Sequence, residues 1–164
     1  MVTLDALAPF RSPAPAQDPP PLPYLRPPPA RPLHNIDVRL EASLRPAGAG
    51  AQDATLARSS LSALYWALPQ RVAHPPAGGC NLRPGDLLGT GTLSVGGAGG
   101  QGSLLELSWN GTRAVALGDG GGERRFLEDG DRVTLRGYCQ GEGYRVGFGE
   151  CAGTVLPAWP PPAG

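Results

Sequence analysis

The sequence predicts a mixed α/β fold that is rich in β-structure and has one main helix. Residues 36–44 alternate strictly between apolar and polar side chains, which is the pattern of a half-buried strand. Residues 53–68 place apolar side chains at helical spacing. Beyond residue 80, short apolar runs alternate with glycine-rich turns, a pattern typical of an antiparallel β-meander or barrel.

Glycine and proline occupy different parts of the chain. Of the 20 prolines, 11 lie in residues 1–32, whereas 22 of the 25 glycines lie in residues 78–153. Proline cannot donate to a backbone ladder, so the first segment is expected to be polyproline-like, lying on a surface or disordered. This contrast predicts a Pro-rich connecting arm at residues 1–35, a folded part at residues 36–157 and a disordered tail at residues 158–164.

The predicted helix has a start signal and a stop signal. Asp53 can cap its N-terminus, and Pro69 is expected to kink or end it. The apolar positions at helical spacing between these two residues are Leu56, Leu61, Leu64, Tyr65 and Leu68.

Seven apolar runs predict the strands beyond residue 80. They are Leu87–Leu93, Leu104–Trp109, Thr112–Leu117, Arg124–Leu127, Arg132–Tyr138, Tyr144–Phe148 and Thr154–Leu156. The pair Asn110-Gly111 lies between two of these runs and is a strong hairpin signal, and residues 128–131 predict a second turn.

Charge and cysteine content exclude several kinds of partner. The chain has 14 basic residues, all arginine, and 14 acidic residues, so it offers no basic field for nucleic acid or an anionic membrane. The N-terminus lacks the features of a secretory signal, and no segment is apolar enough to span a membrane. The three cysteines are widely spaced without a C-x-x-C pair, which is typical of reduced thiols. We therefore expect a cytosolic protein that binds neither nucleic acid nor membrane.

Three further motifs match known functional patterns only in part, and physical reasons argue against each of these functions. The pattern G-x-G-x-x-G at residues 97–102 matches a dinucleotide-binding motif, but the following segment is strand-like and offers no helix N-terminus to a pyrophosphate. The acids within residues 128–131 lack the remaining ligands of a calcium loop and are expected at a solvated hairpin tip. His34 and His74 lie beside proline-rich segments and form no recognisable catalytic constellation.

Glu106 interrupts an apolar run in the middle of a predicted strand. A carboxylate there either points to solvent across an exposed sheet face or is buried and must be paired. Just before it, residues 89–92 alternate glycine with threonine, so a ligand oxygen could approach bare backbone beside hydroxyl groups. The residues alone leave both interpretations of Glu106 open.

Several long blocks together carry a specific resemblance. They are CNLRPGDLL at 80–88, GTLS at 91–94, GSLLELSW at 102–109 and GYCQG through GFG at 137–149, preceded by LDALAPF at 4–10 and QDP through PLPYL at 17–25. In this order they resemble the carboxy-terminal part of the fumarylacetoacetase family. The resemblance implies that residues 36–157 are part of a catalytic domain of the family's mixed β-roll type.

The resemblance also implies an activity, the hydrolysis of a carbon–carbon bond in 4-fumarylacetoacetate during tyrosine and phenylalanine catabolism. It implies that water attacks a metal-held β-diketone, with a His–Glu pair as general base. Glu106 matches the Glu that orients and polarises the catalytic His, and Thr92 matches a Thr that hydrogen bonds the substrate. The implied complete enzyme is a cytosolic homodimer that uses Ca2+ and Mg2+.

The chain also departs from the family pattern. The family's SH3-like domain, acidic calcium ligands, catalytic His, substrate-binding Arg, Gln and Tyr, and Lys and Thr near magnesium have no counterpart here. We therefore expect no metal ligands in this chain, and we expect the 164 residues alone to be inactive. The glycine-rich loop at residues 95–101 and the Pro-rich insert at residues 26–32 also differ from the family.

Two alternatives remain open at the level of sequence. The first is a non-catalytic β-rich module whose arm presents a ligand for SH3 or WW modules, through Arg26-x-x-Pro29-x-x-Pro32 or the prolines at 20–23. The second is a related decarboxylase or hydratase of the same superfamily, which the ELSW and GYCQG blocks make the weaker alternative.

Overall fold

The fold is β-rich with few helices, as the sequence predicts. The computed structural model describes residues 1–48, 50–118 and 121–159, so residues 160–164 of the predicted tail lie outside it. In chain order the described residues form α1 (Leu4–Leu7), β1 (Arg11–Pro13), β2 (His34–Ile36), β3 (Arg39–Arg45), β4 (Ala54–Ser60), α2 (Leu68–Ala77), α3 (Leu104–Leu107), β5 (Val115–Ala116), β6 (Glu123–Arg124), β7 (Arg132–Gln140) and β8 (Arg145–Thr154). None of the helices in these ranges is long and apolar enough to cross a membrane.

A four-stranded antiparallel sheet of order β4-β3-β7-β8 is the central element. One row across it carries Arg58, Glu41, Arg136 and Glu150 on neighbouring strands. Arg58 pairs with Glu41 at 2.9 Å, and Arg136 pairs with Glu150 at 2.6 Å. The hydrogen bond from Arg136 to Glu150 is the main cause that raises the pKa of Arg136 above its ordinary value. Opposite charges on adjacent strands thus favour this register of the sheet.

A hydrophobic cluster joins the N-terminal residues to the sheet. Its buried members are Leu7, Phe10, Ile36, Val38 and Cys139. Burial, helped by the nearby carboxylate of Asp37, raises the pKa of the Cys139 thiol. Cys139 therefore packs as a small apolar residue, whereas the free thiols of Cys80 and Cys151 are exposed.

The Pro-rich arm packs against the rest of the chain at several points. Strand β1 pairs with β2, and the backbone N–H of Asp37 donates to the carbonyl of Phe10 at 2.8 Å. Leu25 is buried, and the side chain of Gln70 on α2 donates to its carbonyl at 3.0 Å. The boundary placed at residue 35 stays a prediction.

The strand predicted at residues 36–44 is present but divided. Its first residue belongs to β2, and its last six belong to β3. At the break, the N–H of Val38 donates to the carbonyl of Ile36 at 2.9 Å, a tight turn that redirects the chain. Burial does not alternate strictly in β3, where Leu44 is fully buried and its polar neighbour Ser43 is buried as well.

The helix predicted at residues 53–68 is wrong, because Ala54–Ser60 forms strand β4 and Leu61–Ala63 forms a short 3-10 turn. The pairing of β4 with β3 shifts register between Ala42 and Ser43, which leaves Leu56 as an extra residue in β4. Such a bulge interrupts the two-residue period of a strand, and the apolar residues from Leu61 to Leu68 that suggested a helix lie beyond the end of β4. Asp53 caps no helix here and instead pairs with Arg45 at 2.8 Å.

The main helix, α2, begins at Leu68, which is the position where the sequence predicts that a helix ends. Pro69 occupies the first turn of α2, a position whose N–H has no partner within a helix, so proline is tolerated there. The side-chain oxygen of Gln70 accepts from the N–H of Ala67 at 3.0 Å and satisfies one of the free donors. One main helix is confirmed, but its predicted position is wrong.

The apolar runs beyond residue 80 differ in outcome. The runs at 132–138 and 144–148 correspond to the long hairpin of β7 and β8, but of the run at 154–156 only Thr154 belongs to β8. The runs at 112–117 and 124–127 overlap the short strands β5 and β6, the second only at Arg124. The run at 87–93 is not a strand, and the run at 104–109 contains helix α3.

The two predicted turns also differ in outcome. Asn110-Gly111 forms a turn after a helix rather than a hairpin between strands. Residues 128–131 do form a turn, but Asp131 is fully buried there, so the expectation of a solvated acidic tip is wrong for this residue. The reason is its partner Arg124, whose Nε lies 2.9 Å from Oδ2 of Asp131.

Candidate active site

Glu106 lies in the short helix α3 and not in a strand. Ser103 is the N-cap of this helix, and its Oγ accepts from the N–H of Glu106 at 3.2 Å. Ser followed three residues later by Glu is the spacing of a capping box, so the sequence did contain a helix signal that the apolar run outweighed.

The exit from α3 limits the helix to one turn. The N–H of Asn110 donates to the carbonyl of Leu105 at 2.8 Å, and the N–H of Trp109 donates to that of Glu106 at 3.1 Å. Trp109 and Asn110 both adopt left-handed backbone, with φ of 51° and 55°. These features define a Schellman turn in which Trp109 stands where glycine is usual. The Trp109 side chain is exposed, and Cζ of Arg113 lies 5.6 Å from the centre of its ring.

One oxygen of the Glu106 carboxylate is held by two donors. Oε2 accepts from the hydroxyl of Ser94 at 2.6 Å and from the N–H of Gly102 at 3.2 Å. Oε1 accepts no hydrogen bond from any residue that the structure describes. The Glu106 residue as a whole is exposed. The carboxylate is therefore fixed through one oxygen and open to a further donor through the other.

Thr92, the candidate substrate-binding residue, lies in the irregular segment that leads to Ser94. The residue is exposed, and Gly91 beside it has a φ of 72°, in the region that favours glycine. Thr92 is only two residues from Ser94, which contacts Glu106, but no hydrogen bond joins Thr92 to Glu106 in the described residues. The structure thus places the two predicted residues on separate segments, and the hydrogen bond between Ser94 and Glu106 links these segments.

A cleft of about 750 Å³ opens beside this segment. Its walls come from the N-terminal residues, from α2 and from residues 88–90, and they are mainly apolar. Arg11, His34 and Gln70 contribute polar groups, whereas Thr92 and Glu106 are not among the lining residues. Sequence reasoning missed this cleft because its walls are distant in the chain and share no motif.

The two histidines do not supply a partner for Glu106. Nδ1 of His74 lies 3.0 Å from the hydroxyl of Tyr24, and the two rings are stacked at 6.3 Å. His34 lines the cleft. Both histidines belong to the described part of the chain, and neither hydrogen bonds to Glu106. A His–Glu pair at this site needs an imidazole from another polypeptide segment.

The described residues do not fit a metal ion. Across residues 1–48, 50–118 and 121–159, no three His, Cys, Asp or Glu side chains come together in a group that could hold a cation. Metal ions in proteins are held by several such ligands, so no chemical step is assigned here to a metal.

Residues 10–156 match the family described as fumarylacetoacetate (FAA) hydrolase C-terminal. The chain is 49% identical over 160 residues to a fumarylacetoacetase of Arabidopsis thaliana, covering 98% of this chain and 37% of that protein. It is 50% identical over 161 residues to that of Rattus norvegicus (98% and 37%), and 49% identical over 162 residues to that of Homo sapiens (96% and 36%). The chain therefore spans little more than a third of the length of these curated relatives.

Proposed function

Because this chain belongs to the fumarylacetoacetate hydrolase family, a family of hydrolases, we propose that it is the carboxy-terminal part of a fumarylacetoacetase. The proposed reaction of the complete enzyme is hydrolysis of the carbon–carbon bond of 4-fumarylacetoacetate to fumarate and acetoacetate. Two findings support this proposal. The family match covers residues 10–156, and relatives named fumarylacetoacetase are 49% and 50% identical to this chain in sequence.

The geometry of Glu106 is the observation that carries the proposal. A carboxylate that orients a catalytic imidazole must itself be held and must keep an oxygen free to accept the imidazole N–H. Oε2 of Glu106 is held by Ser94 and Gly102, and Oε1 accepts no hydrogen bond in the described residues. We assign to Glu106 the orientation and polarisation of a His from another part of the complete enzyme.

Thr92 has the exposure that a substrate-binding hydroxyl needs. Its segment runs from the edge of the apolar cleft at Thr90 to the Glu106 contact at Ser94. A substrate bound along this segment would meet the Thr92 hydroxyl on its way to the carboxylate. We propose that Thr92 donates a hydrogen bond to a substrate oxygen.

The remaining features of the complete enzyme are also part of the proposal. They are Ca2+ and Mg2+ held by residues outside this chain, a homodimer, a cytosolic location and a role in tyrosine and phenylalanine catabolism. Their support is family membership together with the motif resemblance at residues 80–109 and 137–149. This chain's own residues are assigned only to the orientation of the base and to substrate contact.

The alternative function, presentation of an SH3 or WW ligand by the arm, has weaker support. Such a ligand needs Arg26 free on an open polyproline helix. Here Nε of Arg26 donates to the carbonyl of Pro21 at 2.7 Å, and Leu25 beside it is buried. Nε of Arg26 therefore already has an acceptor within the chain, although Arg26, Pro29 and Pro32 are exposed.

A chimeric enzyme tests the proposed function. This chain would replace the segment that it matches in the rat fumarylacetoacetase, and loss of 4-fumarylacetoacetate would be followed by its absorbance. We expect turnover by the chimera and none by the 164-residue chain alone, because a Glu without its His lacks the general base. A chimera whose circular dichroism and urea midpoint match those of the rat enzyme but which shows no turnover would contradict the proposal.

A further inference from the structure

Ser94, Gly102 and Glu106 form a closed triangle of hydrogen bonds. The N–H of Gly102 donates both to Oγ of Ser94 at 3.0 Å and to Oε2 of Glu106 at 3.2 Å. Since a backbone N–H can only donate, Oγ of Ser94 is an acceptor in that contact. The single proton of the Ser94 hydroxyl is then available to Glu106, at an oxygen–oxygen distance of 2.6 Å. This distance is typical of a hydrogen bond to an ionised carboxylate.

Strand β4 supports this triangle through the glycine-rich loop at residues 95–101. Oγ of Ser59 donates to the carbonyl of Leu93 at 2.6 Å, just before Ser94. The N–H of Arg58 donates to the carbonyl of Gly99 at 2.9 Å, on the other limb of the loop. Both limbs are therefore fixed to the central sheet, and the position of Ser94 is fixed with them.

Helix capping alone does not account for the Ser94 contact. In a capping box, the Glu at the third helical position bonds back to the N–H of the N-cap residue. Oε2 of Glu106 instead meets Gly102, one residue before the N-cap Ser103, and a hydroxyl twelve residues away in the chain. A cap needs only local donors, whereas a donor from a separate loop fixes the direction in which the carboxylate points.

We propose that Ser94 is a positioning residue, whose hydroxyl holds Oε2 of Glu106 so that Oε1 faces the catalytic imidazole. This inference rests on the proposed function, because the imidazole belongs to the complete enzyme. In this proposal Ser94 acts through Glu106, to which its hydroxyl donates. Its effect is expected in turnover rather than in substrate binding.

The test uses three variants in the rat-based chimera. Ser94→Ala removes the donor, Ser94→Thr keeps a hydroxyl, and Ser62→Ala is a matched control, because the Ser62 hydroxyl contacts only Ser60 among described residues. We expect Ser94→Ala to lower kcat by about 10- to 100-fold, by analogy with the loss on removing hydrogen-bond partners that orient metal-ligating side chains, with KM changed less than about twofold. Ser94→Thr should recover most of kcat, and Ser62→Ala should match the unsubstituted chimera. Unchanged kcat in Ser94→Ala, or an equal loss in Ser94→Thr, would overturn the proposal.

A second measurement separates failure of this inference from failure of the proposed function. The carboxyl carbon resonance of Glu106 in the 164-residue chain reports the hydrogen bond without any turnover. We expect Ser94→Ala to shift it and Ser62→Ala to leave it in place. Absence of a shift in Ser94→Ala overturns the inference even if the chimera is active. A shift together with an inactive chimera refutes the function and, with it, the positioning role.

Discussion

Arg124 and Asp131 form a two-pronged ion pair, in which Nε donates to Oδ2 at 2.9 Å and Nη2 donates to Oδ1 at 3.0 Å. Asp131 is fully buried, and the N–H groups of Glu128 and Ala47 also donate to its carboxylate. Burial acts to raise the pKa of Asp131, but the hydrogen bonds outweigh it and hold the pKa below its ordinary value. The pair fixes the turn that leads from β6 into β7.

This pair predicts a specific acid sensitivity. Because the pKa of Asp131 is lower in the folded chain, its contribution is complete above the unfolded value, about 4, and is lost as pH falls through the folded value. Asp131→Asn should lower the free energy of unfolding at neutral pH by about 3 kcal/mol, since Arg124 then lacks its buried partner. Urea unfolding at pH 7 and pH 3 measures the change. Asp129→Asn, at an exposed site, is the control, and an undiminished acid dependence in Asp131→Asn would refute this account.

The charge row across the central sheet predicts a salt-dependent effect. Glu41→Arg would place three positive side chains next to one another on β4, β3 and β7. We expect a loss of about 1 kcal/mol in the free energy of unfolding at low ionic strength, because like charges directly opposite destabilise a sheet. The loss should shrink in 1 M salt, where charges are screened over about 3 Å. A loss that is equal at both salt concentrations would indicate a packing effect instead.

Gly102 is predicted to tolerate no side chain. A Cβ there would lie 2.8 Å from the backbone of Leu93, so one of the two segments must move. We expect Gly102→Ala to cost about 1–3 kcal/mol of stability, as overpacking commonly does, and to displace the N–H that contacts Glu106. Gly96→Ala is the matched control, since its Cβ would meet nothing within 4 Å. Equal urea midpoints for the two variants would show that the close approach is unimportant.

The three thiols should react in two classes. Cys80 and Cys151 are exposed, whereas Cys139 is fully buried with a raised pKa. Iodoacetamide should therefore modify two thiols of the folded chain quickly and the third only after unfolding, because the thiolate is the reactive form. Peptide mass mapping identifies the sites. Rapid modification of Cys139 in native buffer would contradict the burial of this residue.

The sequence predicts the elements that rest on a simple period and misses those that depend on tertiary pairing. Strict alternation at residues 36–44 and the apolar pattern of residues 132–148 correspond to β3, β7 and β8, because a two-residue period is a local property of the sequence that favours strands. The bulge at Leu56 in β4 disguises its alternation, and only the partner strand reveals it. The intrinsic strand or helix propensity of residues 54–60 contains no information about their pairing with β3.

In the candidate site, too, the sequence predicts some features and misses those that depend on tertiary contacts. The resemblance identifies Glu106 and Thr92, which the structure places on separate segments: Glu106 is on α3, and Thr92 lies two residues before Ser94, whose hydroxyl contacts Glu106. The contact between Ser94 and Glu106 was not predictable, because it depends on how the loop at 95–101 folds back on β4. A strand at 104–109 was expected from the apolar side chains, but the Ser103 cap and the left-handed exit at Trp109 enforce one helical turn instead.

Glu106→Gln in the rat-based chimera tests the central claim most directly. Glutamine keeps the shape of the side chain and can still accept from Ser94, but it removes the charge that stabilises an imidazolium. We predict a fall in kcat of at least about 100-fold, the lower range for general acid–base catalysis, with an unchanged urea midpoint. A kcat equal to that of the unsubstituted chimera would remove Glu106 from the mechanism and contradict the account.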